Sequence, residues 1–290
     1  MMMNTPHTTL SVLASLPPDW QTWVKENVAR GCEPGGMVAI MVRDGHFSSQ
    51  LAQLAVAEAS GQQPGAVAMP AMRPHPRIEM NSNVIQAADR PVNVLLRMRA
   101  PEIILFGNVL SDEECDALIA YTQQRLERSG VVGDGDGATQ IHTHRTSRGA
   151  MLQRGETELV SRIENRLAAL VHWPVENGEG LQVLSYEKSN EYRPHFDWFD
   201  PNVAGPRKHL ERGGQRVATI ITYLSDVEEG GGTSFPKIGL QVQPKKGCAV
   251  YFANTNAAGE VDHNTLHAGE PVERGIKYVA TKWLRESEYK

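Results

Sequence analysis

Cysteine is scarce in this 290-residue chain, and the three present, Cys32, Cys115 and Cys248, lie far apart with no C-x-x-C spacing. That argues against both a disulfide framework and a zinc-cysteine site, and a reducing compartment fits best. Long apolar runs are missing too, since nothing approaches the roughly 18 uninterrupted apolar residues of a membrane span. The opening stretch, MMMNTPHTTLSVLASLPPDW, lacks a basic segment ahead of its short apolar part, which does not fit a secretory leader. A basic block is equally absent. The net charge of −5 is spread along the chain, so nothing in the balance predicts electrostatic capture of nucleic acid. These absences together predict a cytoplasmic protein with neither a membrane nor a nucleic acid as partner; they leave its oligomeric state unread.

What is present changes character along the chain, whose length suits one sizeable core and a small accessory module. Residues 1–60 read as an all-α accessory region. Pro17 and Pro18 open a helix running through Trp20, Trp23 and Val28 to Gly31, a second begins after Pro34, and a third spans about Ser48 to Ala59. The second has apolar residues so continuous, Met37, Val38, Ile40, Met41 and Val42, that it is expected to be sandwiched between neighbours. Residues 61–92, rich in Pro, Ala, Gly, Asn and Met, read as a flexible linker. From residue 93 to 290 a second domain is expected. It begins with a strand at Ile103 to Phe106 and a helix opened by a capping box, Ser111 with Glu114, and continuing to Leu126. A Gly-rich loop at Gly130 to Gly137 and a helix at Thr157 to Val171 follow. Then come short β-rich runs at Leu181 to Tyr186, Arg216 to Leu224, Gly239 to Val242, Gly247 to Phe252 and Ile276 to Trp283. Many short strands at this spacing suggest an α+β fold built on a sandwich or jelly-roll barrel.

Within that β-rich part, Tyr192-Arg193-Pro194-His195-Phe196-Asp197 sets an imidazole and a carboxylate two residues apart. On an extended strand both point to one face, as two ligands of one metal must. His267, in Asn264-Thr265-Leu266-His267-Ala268-Gly269, is the candidate third ligand, with His263 as its rival. Two histidines and a carboxylate leave three positions of an octahedral iron open, which suits oxygenases rather than structural zinc. The spacing alone is weak: His195 could equally be a plain core histidine, His209 with Glu211 forms a similar pair in a charged run, and His142 with His144 share a face beside the Gly-rich loop. Lys277, Val279, Thr281 and Trp283 alternate onto a common face. If that face lines the barrel, the Lys277 ammonium needs an anion, such as the distal carboxylate of a dicarboxylate, to offset its desolvation. An exposed lysine on an edge strand is the alternative.

Taken in order, Tyr186, His195-x-Asp197, Gly214-Gln215-Arg216, Glu229-Gly-Gly-Gly-Thr-Ser-Phe-Pro236, Thr265-Leu-His-Ala-Gly269, and Lys277 with Trp283 resemble the prolyl 4-hydroxylase family of Fe(II)/2-oxoglutarate dioxygenases, over about Asn93 to Glu286. The N-terminal helices resemble an accessory region of some members of bacterial type. The resemblance implies a double-stranded β-helix (jelly-roll) core flanked by helices, with Fe(II), 2-oxoglutarate and O2 as cofactor and cosubstrates and ascorbate as a candidate reductant. It implies His195, Asp197 and His267 as iron ligands and Lys277 as partner of the 2-oxoglutarate distal carboxylate, with hydroxyl donors from Tyr186 and Tyr223. Tyr192, Arg145, Ser147, Arg216 and Trp283 resemble residues lining a peptide groove, although Tyr192 and Trp283 could be core aromatics and Arg216 a structural ion-pair partner. The activity implied is hydroxylation of a prolyl residue in a peptide or protein, with succinate and CO2 as coproducts. A dioxygenase acting on another amino acid or a small molecule, and a non-catalytic metal-bound jelly-roll binding module, are the competing readings.

Overall fold

The computed structural model describes residues 11–45, 47–61, 73–79, 81–132, 139–140, 144–201, 203–256 and 259–290. The chain divides into two compact units, Met1–Met72 and Arg73–Lys290. In the first, a 3-10 turn, Leu13–Ser15, precedes helices Pro18–Ala29, Pro34–Gly45 and Ser49–Ala59. Pro18 stands at the start of its helix, where a missing N–H costs nothing, and the Ser48 hydroxyl caps the third helix by accepting from the Leu51 N–H. Met37 and Met41, one turn apart, enter a core with Leu16, Val24, Ala52 and Val56. The second helix is not sandwiched as expected: Ala39 is exposed, and Val38, Ile40 and Val42 are only half-buried. Three short helices enclose a single line of contact, which covers one face of each helix.

The second unit is a jelly roll. Nine antiparallel strands form its major sheet, in the order Val84–Ala87, Arg90–Arg99, Glu102–Gly107, Ala249–Ala253, Arg216–Tyr223, Lys277–Arg285, Leu181–Tyr186, Arg148–Leu152 and Glu127–Arg128. A minor sheet of four strands, Leu240–Val242, Thr233–Phe235, His267–Gly269 and Tyr192–His195, covers one face of it. Side chains alternate across the major sheet as a period of two requires. Ile104, Val183, Ile220, Tyr251 and Ala280 join one core with helices Asp112–Thr122 and Glu158–Leu170. Their sequence neighbours Ile103, Leu184, Phe252 and Val279 join the core between the sheets with Phe235 and Val242. The functional cavity opens on this second face.

Two sequence expectations change here. Residues 84–92, assigned by composition to the linker, form the first strand and the start of the second, with Ile85, Ala87 and Val92 buried. Asp89 in the turn between them is gripped by Arg166 at 2.7 and 2.8 Å, and Arg166 also binds Glu114. A short alternation flanked by Pro and Asn was masked by its polar neighbours. The helix opened by the Ser111–Glu114 capping box stops at Thr122, and Leu126 is extended and buried rather than helical. Of the Gly-rich segment, residues 133–137 lie outside the described residues, as do 62–72 of the expected linker.

Candidate active site

Pairing of two three- to four-residue strands builds the site. In the antiparallel pair Tyr192–His195 with His267–Gly269, His195 and His267 stand directly opposite each other, and Asp197 follows just beyond the strand end. Ligand atoms of His195, Asp197 and His267 all lie within 4.8 Å of one another. His195 Nε2 is 3.7 Å from Asp197 Oδ1, and His267 Nε2 is 3.6 Å from Asp197 Oδ2. Each ring is bonded on its other side to the backbone two residues earlier, His195 Nδ1 to the Arg193 carbonyl and His267 Nδ1 to the Thr265 carbonyl, both at 2.9 Å. Those carbonyls can only accept, so both Nδ1 atoms carry a hydrogen and both Nε2 atoms face the carboxylate.

The electrostatics fit a cation. Burial, with His267 close by, pushes the His195 pKa down to about 3, which leaves the ring neutral and its lone pair available. Burial opposes the charge of Asp197, yet the neighbouring His267 and His195, the Arg216 guanidinium and a hydrogen bond from Thr219 hold its pKa at about 2. Tyr192 stacks on the His195 ring at 3.5 Å between centroids, and Phe252 packs against His267 at 4.6 Å, fixing both imidazoles in place. Two imidazoles and an ionised carboxylate converging on one point are the donor set of a mononuclear non-haem iron site. His263, the rival third ligand, packs its ring edge-on against Phe196 and Trp198 and is not part of the cluster.

A cavity of about 970 Å³ contains this triad and is lined also by Lys277, Val279, Thr281 and Trp283, the alternating face of their strand. Lys277 is buried and has no hydrogen-bond or ion-pair partner among the described residues. Its ammonium lies 5.2 Å from the centre of the Tyr186 ring, and burial, only partly countered by the charge of Glu270, pushes its pKa down to about 7. Tyr186 lines the cavity beside Ser147 and Arg145, and its own burial raises its pKa. Tyr223 is placed differently from a direct cosubstrate donor: its hydroxyl donates to Thr233 Oγ1 at 2.8 Å, and Thr233 is the residue that reaches the cavity.

The residues matched to a peptide groove separate into two groups. Tyr192 and Trp283 line the cavity, and Trp283 Nε1 is buried without a partner among the described residues. Arg145 and Arg216 also line it, but their donors are committed. Arg145 donates to the Gly130 carbonyl at 3.2 Å, Gln182 Oε1 at 2.7 Å and Ser147 Oγ at 3.3 Å, and stacks on Tyr192. Arg216 grips both oxygens of buried Glu179, at 2.6 and 2.9 Å, and stacks 3.9 Å from the Trp283 ring centre. Ser147 is fully buried behind Arg145. His209 stacks on Phe199 within a 3-10 turn and lines the cavity, while Glu211 is exposed, so that pair does not converge. His144 is exposed at the cavity edge, and His142 lies outside the described residues.

Sequence reasoning missed Glu179, Thr219, Thr233, Asn254 and Tyr289. The last lines the cavity from the C-terminal segment, its carbonyl held by Arg154 at 3.0 Å. A threonine inside the apolar run Val217 to Ile221 was a usable signal, because a buried hydroxyl needs a partner.

Residues 181–285 match the family model of the 2OG-Fe(II) oxygenase superfamily. Prolyl 4-hydroxylase 5 of Arabidopsis thaliana is 38% identical over 209 residues, which cover 66% of this chain and 70% of that relative. Probable prolyl 4-hydroxylase 6 of the same plant is 39% identical over 213 residues, covering 67% of this chain and 72% of the relative. Among solved structures, the viral collagen prolyl hydroxylase of Paramecium bursaria Chlorella virus-1, crystallised as a 2OG complex, is 30% identical with a TM-score of 0.50, covering 63% of this chain and 95% of that one.

Proposed function

The chain belongs to the prolyl 4-hydroxylase family of 2OG-Fe(II) oxygenases, and from that premise we propose that it hydroxylates a prolyl residue, at carbon 4, in a peptide or protein. It is a 2-oxoglutarate-dependent dioxygenase that uses Fe(II), 2-oxoglutarate and O2. The observation that carries the reading is the presence, in one cavity, of a converging His-Asp-His set and a buried unpaired lysine. Iron bound there, with 2-oxoglutarate and O2, supplies the redox chemistry that couples formation of succinate and CO2 to placing one oxygen atom on a C–H carbon.

The protein's part is binding and orientation. His195 Nε2, His267 Nε2 and one oxygen of Asp197 hold the metal. The Lys277 ammonium pairs with the distal carboxylate of 2-oxoglutarate, which returns to the buried cation the charge partner it lacks. Tyr186 offers its phenol to the same region, and Tyr223 holds Thr233 at the wall. Tyr192 and Trp283 line the part of the cavity where a prolyl ring would rest. Arg145 and Arg216 act by stacking on those rings, each guanidinium held in turn by its own acceptors. Ser147 supports Arg145.

Three further elements complete the reading. Ascorbate serves as reductant, by resemblance to the family. The first unit is an accessory region of the bacterial type, on the likeness of its helices. A reducing, cytoplasmic setting accords with cysteines that are all unpaired, and no helix among the described residues is long and apolar enough to cross a membrane. The deciding assay incubates the purified chain with Fe(II), 2-oxoglutarate, ascorbate and a panel of proline-rich peptides. Succinate release matched by a gain of one oxygen on proline is expected; matched turnover only with a proline-free peptide or a small molecule defeats the prolyl reading.

A further inference from the structure

Behind Asp197 lies a chain of two side chains that coordinate no metal themselves. Thr219 and Asn254 are both fully buried, on the adjacent strands Arg216–Tyr223 and Ala249–Ala253 or directly after them. Thr219 Oγ1 is 2.7 Å from Asp197 Oδ2, and Asn254 Nδ2 is 3.0 Å from Thr219 Oγ1. An ionised carboxylate only accepts, so the single hydroxyl hydrogen of Thr219 goes to Asp197, and its lone pair is left to accept from the amide of Asn254. The direction of both bonds is therefore set. Asn254 is anchored through its backbone, its N–H donating to the Val217 carbonyl and its carbonyl accepting from the Asp262 N–H, each at 2.8 Å.

We infer that Thr219 is a positioning residue for the metal centre, oriented by Asn254, which occupies one oxygen of Asp197 and leaves the other for the ion. This rests on the iron-binding reading above. Asp197 Oδ2 is taken by the hydroxyl, whereas Oδ1 receives no hydrogen bond among the described residues. The distinction controls coordination number. An octahedral ion bound by two imidazoles and one carboxylate oxygen keeps three open positions; bound by both carboxylate oxygens, it keeps only two. Turning a single oxygen of Asp197 to the metal would keep those positions free for the cosubstrates. A hydroxyl that itself accepts a hydrogen bond donates more strongly, which is the contribution of Asn254.

The test is anaerobic titration of the full chain with Fe(II) in the presence of 2-oxoglutarate, following the visible charge-transfer band. Thr219→Val keeps the shape and removes the hydrogen bond. Affinity for Fe(II) is expected to fall by about tenfold to a hundredfold, the usual cost of losing a group that orients a metal ligand. The band is expected to move to longer wavelength, because a carboxylate freed from its donor gives more density to the metal. Thr219→Ser restores both, and Asn254→Leu shows a smaller change in the same direction. A role in packing alone lowers Tm without moving the band, so Thr219→Val with wild-type affinity and band position overturns the inference. Should that variant fail to fold, Asn254→Leu decides by the same two readouts, unchanged values again overturning it. Absence of the band from the unaltered chain defeats the iron reading instead, so the two failures are distinct.

Discussion

Two lysines on the strand Lys277–Arg285 are both buried, yet they differ in what surrounds them. Lys282 faces helix Glu158–Leu170, where its ammonium binds the Glu164 carboxylate and the Glu179 carbonyl. Lys277 faces the cavity and has no such partner among the described residues. The backbone is the same, and a period of two sends even and odd positions to opposite faces. A buried cation matched from within belongs to the scaffold; one left unmatched marks where an anion from outside completes the charge balance.

The comparison is broken or sharpened by four measurements. The largest effect is expected from His195→Ala, which removes a donor from the cavity face: succinate formation falls to background while the fold, read by circular dichroism, persists. Full activity in that variant means that the triad is misassigned. Next, Lys277→Met lowers 2-oxoglutarate affinity by about a hundredfold, the loss of a desolvated charge-assisted pair. Its stability to urea stays level or rises, because an unpaired buried ammonium is no longer present; a steep loss of stability places Lys277 with the scaffold.

Lys282→Met gives the opposite pattern. Glu164 is left buried without its cation, which costs about 3 kcal/mol of stability and is measured by denaturant unfolding, with 2-oxoglutarate affinity unchanged. The smallest effect is on pH. The pKa of Lys277 in the folded chain, about 7, lies below the ordinary 10.5, so the amine loses its proton as pH rises through 7. A dianionic cosubstrate binds the protonated form, so binding takes up a proton and weakens as pH increases, by about fivefold from pH 7 to pH 8. Lys277→Arg, charged throughout, flattens that slope in calorimetric titrations. A flat profile in the unaltered chain contradicts an unpaired amine.

The face of Lys277, Val279, Thr281 and Trp283 was legible because one strand carries it, and strand periodicity is local. So were the capping box at Ser111 and the pairing of His195 with Asp197 through their spacing. The opposing strand His267–Gly269 is three residues long, too short for periodicity to separate His267 from His263; ordered motifs did that work. Arg216 was left open between groove residue and ion-pair partner, and its grip on both oxygens of Glu179 gives weight to the second. Strand Val84–Ala87 was lost in the composition of its surroundings, although burial of Ile85 and Ala87 shows why it forms.

From the amino-acid order alone came the kinds of ligand, their faces on individual strands, and the need of a buried amine for an anion. These follow from covalent spacing and from the cost of burying charge, both local properties. Tertiary structure alone decided that Thr219, 22 residues from Asp197, bonds its carboxylate, that Asn254, 35 residues from Thr219, orients the hydroxyl, and that Lys282 finds Glu164 while Lys277 finds no partner among the described residues. Hydrogen bonds form over about 3 Å, and which distant groups come that close is set by strand register and sheet packing, which no short window of sequence encodes.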